Sequence, residues 1–156
     1  MGNSVRRAVG PLLHPLEPRL LLSAEQDFGW ASAVGTYGTA TARDVAVDAG
    51  GNRYIVGDFT GMVDFGQGTA QSCVLDADEG NLFVAKLDPS NELVWARSFG
   101  GTAGGQGNSI AVDPAGTIHV GGVFRGQGDF DPGGGMKLLR TSSGADAAFL
   151  LRLDDQ

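Results

Sequence analysis

Apolar and polar residues alternate in short runs along the chain, and turns rich in Gly, Asp, Asn and Pro separate these runs. Tyr54–Gly57 and Leu82–Leu87 are two such runs. A period of two residues is typical of β-strands, and no helical period of 3.6 residues occurs after residue 24. The pattern therefore predicts an all-β fold of short antiparallel strands.

The chain repeats itself. Trp30 and Trp95 lie 65 positions apart. From Trp30 to Gly68, thirteen residues are identical to the residue 65 positions further along the chain. The offset becomes 66 where Phe83–Asp88 matches Phe149–Asp154. Because surface loops tolerate insertions better than strands do, we place the extra residue in a variable loop between these segments.

Each repeat predicts a four-stranded antiparallel unit. In the first repeat we expect strands at Asp44–Val47, Tyr54–Gly57, Leu82–Leu87 and Leu93–Arg97. In the second we expect Ser109–Val112, Ile118–Gly121 and Ala147–Leu153, and a lone copy of the fourth strand, Trp30–Val34, precedes both repeats. Short strands with dense glycine turns predict two β-propeller blades, with repeats at about 30–92 and 93–156.

Two blades form only a partial propeller, since closed rings contain about four to eight. We expect the opening fourth strand and the closing third strand to complete one blade between them. Isolated blades leave apolar faces and strand edges open. Either several copies of the chain associate to complete a propeller, or the chain is a truncated piece of a longer protein.

Several strings resemble a known repeat. Phe-Val-Ala-Lys-Leu-Asp-Pro-Ser (83–90), Ala-Val-Asp-x-x-Gly (46–51) and Gly-Asp-Phe-Asp-Pro-Gly (128–133) are similar to the bacterial SBBP β-propeller repeat, over residues 28–154. The Ala-Val-Asp string also occurs in NHL-type propellers. The resemblance implies a β-propeller repeat protein with structural or binding roles.

Residues 1–26 form a separate segment that we expect to be a mostly disordered leader. Its string Pro-Leu-Glu-Pro-Arg-Leu-Leu-Leu-Ser-Ala (15–24) resembles the LEPR-XLL leader of large secreted or surface proteins from planctomycete-type bacteria. The resemblance implies an extracellular or cell-surface location, with a periplasmic one as the alternative. The other interpretation of this segment is a disordered proline-rich tail without a targeting role. Under both interpretations residues 27–156 contain the two repeats.

Composition and charge narrow the possible partners. The chain is 42% hydrophobic and 19% charged, carries 26 glycines and has a net charge of −7. An acidic surface repels phosphate backbones and anionic lipids, so we expect no nucleic-acid partner. No apolar run reaches the roughly 18 residues of a membrane span.

Candidate chemistry is sparse. His14 lies in the leader, and His119 holds the strand position that Tyr54 has in the first repeat, so we expect His119 to pack or face solvent. Cys73 has no second cysteine with which to form an intrachain disulfide. Asp129 and Asp131 share a face of an extended segment and offer oxygen ligands for Ca²⁺, but turn formation is the favoured role.

These observations predict no catalytic, cofactor-binding or metal-ligating residues. The first hypothesis is a non-enzymatic structural or binding module of a secreted or cell-surface bacterial protein, whose partner is another copy, another protein or a polysaccharide surface. The alternative is a fragment of a propeller-type lyase or hydrolase whose active site lies on missing blades. A degenerate gene product without a function of its own is the third possibility.

Overall fold

The computed structural model describes residues 37–67, 71–131, 133, 135–142 and 144–155. Ser32–Gln156 forms one compact unit, which contains all of them. The leader and the predicted strand Trp30–Val34 lie outside the described residues. The strands of the described part are, in chain order, β1 (Thr39–Val47), β2 (Arg53–Asp64), β3 (Val74–Leu87), β4 (Leu93–Gly101), β5 (Gly105–Val112), β6 (Ile118–Arg125), β7 (Gln127–Asp129), β8 (Leu138–Arg140) and β9 (Asp146–Leu153).

All ladders between these strands are antiparallel, which confirms the all-β class. The first sheet has the order β1-β2-β3-β4-β7-β8, and the second has the order β5-β6-β9. Neighbours in chain order are therefore neighbours in space for most of the fold. Within the described residues there is no helix with the length and hydropathy of a membrane span.

The strands are longer than the sequence pattern predicts. The sequence pattern ends the second strand at Gly57 and begins the third at Leu82, but β2 and β3 extend beyond these bounds and pair Asp64 with Val74. In the second repeat the equivalent hairpin tip forms two separate short strands, β7 and β8, that do not continue β6 and β9. β7 pairs with Gly100 and Gly101 of β4. The tip of the second repeat thus extends the sheet of the first.

The same turn closes three hairpins at one end of the sheets. Each begins with an aspartate whose Oδ1 accepts hydrogen bonds of 2.8–2.9 Å from the backbone N–H groups two and four residues later. The fourth residue has a positive φ, between 68° and 83°, which favours Gly or Asn. The three turns are Asp48–Asn52, Asp88–Glu92 and Asp113–Thr117.

A cluster of three phenylalanines also occurs in each repeat. In the first cluster the ring centroids lie 4.6–6.3 Å apart with interplanar angles of 50–89°, and in the second 4.9–6.5 Å apart with angles of 51–71°. Such edge-on and tilted contacts are the favoured geometries of aromatic pairs. The two clusters are Phe59, Phe65 and Phe83, and their counterparts Phe124, Phe130 and Phe149.

The larger of two hydrophobic core clusters lies between the two sheets, which pack face to face, and the smaller lies within the first repeat around Phe59, Phe65 and Phe83. The first sheet contributes Tyr54, Val56, Leu82, Val84 and Phe99, and the second repeat contributes Ile110, Ile118, Val120, Phe124, Phe130, Phe149, Leu151 and Leu153. Each fully buried aliphatic side chain in this layer stabilises the fold by about 1.5–3 kcal/mol. At one end of the layer Lys86 Nζ contacts both carboxylate oxygens of Asp155, at 2.6 and 2.7 Å.

Two glycines mark equivalent β-bulges. A Cβ on Gly122 would lie 2.1 Å from the carbonyl oxygen of Gln106 and 2.7 Å from the ring of Phe149. A Cβ on Gly57 would meet the Thr41 carbonyl and the Phe83 ring in the same way. The ladders shift register opposite these two glycines, so each bulge requires a residue without a side chain at this position.

We predict that Gly122→Ala lowers the free energy of unfolding by about 1–3 kcal/mol, because the new methyl group clashes with backbone and a buried ring. The matched control is Gly105→Ala in β5, where the nearest atom to the new Cβ is Leu82 Cδ2 at 3.7 Å, an ordinary contact. Urea denaturation measures both variants. Equal losses of stability in the two would contradict the packing at the bulge.

Candidate functional site

A cleft of about 350 Å³ opens between the two sheets, at the end of the strands away from the three aspartate turns. Its walls come from the bulged end of β2, the start of β5, the end of β6 and the start of β9. The residues that line it include Asp58, Thr60, Gly104, Gly105, Gln106, Val123, Arg125 and Asp146, and the buried rings of Phe59 and Phe124.

Two ion pairs give the cleft its electrostatic character. Arg125 Nε donates to Asp146 Oδ1 at 2.8 Å, and the two residues face each other across β6 and β9. In the other wall Asp58 accepts from Arg43 Nε. The hydrogen bond to Asp146 raises the pKa of Arg125, which stays cationic at any physiological pH. Each of the two carboxylates in the lining is paired with an arginine, Arg125 within the lining and Arg43 behind Asp58, so the surface is polar and its anions are neutralised.

The repeat is broken at the cleft. Arg125 stands where the first repeat has Thr60, and Val123 stands where the first repeat has Asp58. Sequence comparison of the repeats singled out His119 and Asp131 and missed Arg125 and Asp146. A search of the non-identical positions for opposite charges on neighbouring predicted strands could have found the pair.

Chemically, the cleft offers hydrogen bonds. Both of its carboxylates accept from guanidinium groups, and the hydroxyl of Thr60 is 2.7 Å from that of Thr39. Among the described residues that line the cleft there is no Ser, Cys, His, Lys or Tyr. The arrangement of paired charges and hydroxyl groups fits recognition of a polar ligand.

His119 lies at the opposite end, beside an aspartate turn. Its Nε2 is 3.5 Å from Asp113 Oδ2, and the Tyr54 hydroxyl makes the matching contact to Asp48 Oδ2 at 3.1 Å. The equivalence of the two positions is thus present in the structure. His119 is half-buried, whereas Tyr54 is fully buried, and burial raises the pKa of the Tyr54 hydroxyl.

Cys73 and Trp95 both pack. Cys73 is half-buried and packs against the core cluster of the first repeat, and its Sγ lies 3.7 Å from the Ala96 carbonyl oxygen. Trp95 packs against the core between the sheets, 6.4 Å from the ring of Tyr54, and its buried Nε1 has no hydrogen-bond partner among the described residues. His14 and Trp30 lie outside the described residues.

Asp129 and Asp131 serve the backbone of their own loop. Asp129 Oδ1 accepts from the N–H groups of Asp131 and Lys137 at 3.0 and 2.8 Å, which lowers the pKa of Asp129. Asp131 Oδ1 accepts from Gly133 N at 2.8 Å. Asp64 holds its own turn in the same way as Asp129 does, so the shared role is turn closure. Within the described ranges no three His, Cys, Asp or Glu side chains converge as metal ligands do.

Comparison with known proteins does not extend these observations. The chain matches no family model, no curated protein and no solved structure. The interpretation of the cleft and of the aspartate turns therefore rests on the geometry of the described residues.

We predict that Asp129→Ala lowers the melting temperature more than Asp131→Ala does, because among the described residues Asp129 accepts hydrogen bonds from two backbone N–H groups and Asp131 from one. Thermal unfolding followed by circular dichroism measures the difference. A larger effect at Asp131, or Ca²⁺-dependent stabilisation that either substitution abolishes, would contradict the turn role.

Stability should also fall in acid. The pKa values of Asp48, Asp64, Asp113 and Asp129 are all lowered in the fold by hydrogen bonds, so their stabilisation is complete above the ordinary aspartate pKa of about 3.9. It is lost as the pH falls through the lower pKa values of the folded state. Denaturant titrations between pH 6 and pH 2 test this, and a stability that stays constant below pH 4 would contradict it.

Proposed function

We propose that the chain is a non-enzymatic binding module built from β-propeller-type blades. The observation that carries the proposal is the face-to-face packing of two sheets whose turns, bulges and phenylalanine clusters are equivalent. Stacked repeats of this kind bury a continuous core that no single repeat could bury alone. The first four strands form one antiparallel meander, and β5, β6 and β9 repeat its first three members.

The side-chain chemistry supports binding rather than catalysis. In the cleft the carboxylates of Asp58 and Asp146 are held by arginines, and His119 is held beside Asp113 at the other end. No described feature specifically supports the alternative of a lyase or hydrolase fragment. The similarity of the first residues to a LEPR-XLL leader supports placing the module in a secreted or surface-attached bacterial protein.

The balanced charge of the cleft points to an uncharged polar ligand. Sugar hydroxyls both donate and accept, which suits a wall that combines Arg125, Asp146 and the amide of Gln106. A volume of about 350 Å³ lies at the lower end of the range for small-molecule sites and suits one or two sugar rings. A neutral polysaccharide surface is therefore the ligand class that we propose.

We predict that cellohexaose or maltohexaose binds to the full chain and is recovered intact, as measured by isothermal titration calorimetry and by chromatography of the ligand. Arg125→Ala and Asp146→Ala should each weaken binding roughly tenfold, because each removes hydrogen bonds from a charged group. The matched control is Arg152→Ala, in an exposed pair with Asp154 at 3.6 Å that lies outside the cleft.

Three results would contradict the proposal. Binding of neither oligosaccharide would exclude the ligand class. Equal weakening by Arg152→Ala would exclude the cleft as the binding site. Release of shorter sugars from the bound ligand would exclude a non-enzymatic role.

A further inference from the structure

An ion pair joins the two sheets at the end of the strands away from the cleft. Lys86 lies in β3 of the first sheet, and Asp155 follows β9 of the second sheet. Lys86 Nζ donates to both carboxylate oxygens of Asp155, at 2.6 and 2.7 Å. The side chain of Lys86 is 11% exposed and that of Asp155 is 31% exposed. The cation is therefore the more deeply buried partner of the pair.

The surroundings of Lys86 favour its charged form. Its Nζ lies 5.4 Å from the centroid of the Tyr54 ring, within the range of a cation–π contact. Burial raises the pKa of the Tyr54 hydroxyl, and the carboxylates of Asp48 and Asp155 raise it further. A buried ammonium group without a counter-charge is strongly unfavourable. Among the described contacts of Lys86, the carboxylate of Asp155 supplies that counter-charge.

The two repeats differ at both residues of this pair. The second repeat has Arg152 at the position of Lys86, and the first repeat has Pro89 at the position of Asp155. The side chain of Arg152 is 70% exposed. Turns, bulges and phenylalanine clusters are equivalent in the two repeats, so they do not decide which face of one sheet meets the other. A buried charge and its counter-charge can make that distinction, because any other docking leaves the charge unpaired.

Strand β9 connects this ion pair with the cleft. It begins at Asp146, which accepts from Arg125 in the wall of the cleft, and it ends at Leu153, two residues before Asp155. The strand pairs with β6 along its whole length, from Asp146 to Leu153. A displacement at Asp155 is therefore transmitted along a paired strand to Asp146.

We infer that the Lys86–Asp155 pair is a clasp that holds the second sheet, and with it the Asp146 wall of the cleft, against the first sheet. Without the carboxylate, Lys86 remains between the sheets as an unpaired cation, and the sheets separate at this end until water reaches Nζ. The second sheet then tilts, and Asp146 moves relative to Asp58 in the opposite wall. The effect on ligand binding rests on the proposed function, whereas the clasp itself is measured without a ligand.

The test is hydrogen exchange of the full chain with Asp155→Asn, Lys86→Met and the double variant. Asp155→Asn should raise the exchange rates of the protected amides of β6 and β9 roughly tenfold, because it leaves a buried cation unpaired. Lys86→Met should raise them less, since the carboxylate that it leaves is already 31% exposed and can turn towards water. The double variant removes both charges and should return the rates to within about threefold of the natural sequence.

The matched control is Asp154→Asn, the same change one residue earlier. The side chain of Asp154 is 80% exposed, and its contact of 3.6 Å is with Arg152 of the same sheet. The exchange rates of this variant should equal those of the natural sequence. Equal effects of Asp154→Asn and Asp155→Asn would overturn the clasp. A double variant that exchanges as fast as Asp155→Asn would overturn it as well.

Calorimetry with cellohexaose and maltohexaose tests the connection with the cleft. Asp155→Asn should weaken binding about threefold or more, and the double variant should restore it. Unchanged affinity of Asp155→Asn, despite fast exchange in β9, would overturn the transmission to the cleft. If neither sugar binds the natural sequence while the exchange rates follow the expected order, the proposed ligand is overturned and the clasp is supported.

Discussion

The apolar layer between the two sheets is the contact on which the rest of the structure depends. An antiparallel sheet of three or four short strands is only marginally stable in water until one of its faces is covered. Val56, Leu82 and Val84 are completely buried because the second sheet covers them. Gly107 sets the distance between the sheets, since a Cβ at this position would lie 2.3 Å from Val56 Cγ2. The cleft follows from this packing because it forms at the end where the two sheets separate.

Local interactions make the two repeats equivalent around that layer. The aspartate turns fix where β2, β4 and β6 begin, and the bulges at Gly57 and Gly122 bend the strands that carry the phenylalanine clusters. When turns, bulges and core positions all favour one arrangement, competing registers are disfavoured. The two repeats have different residues at positions that no turn, bulge or core contact constrains. Arg125 and Asp146 of the cleft lie at such positions.

Much of the fold could be predicted from the sequence, because alternation and turn chemistry act over a few residues. The strand pairs and the turns at Asp48, Asp88 and Asp113 belong to this part. The extension of β2 and β3 could not be predicted, since the polar residues of Val74–Gly80 hide the alternation. The association of β7 with β4 involves mainly Gly100, Gly101 and Gly128, which carry no side-chain pattern. The Arg125–Asp146 pair depends on a register that only the folded sheet defines.

The most direct test of the central claim is a nuclear Overhauser measurement between the sheets on an isotope-labelled full chain. The account predicts strong cross-peaks from the Hα protons of Gly107 to the methyl groups of Val56, and from those of Gly105 to the methyl groups of Leu82. Both pairs join residues of different sheets, so they arise only if the sheets pack face to face. Absence of both cross-peaks, while those within each sheet remain, would contradict the stacking on which this account rests.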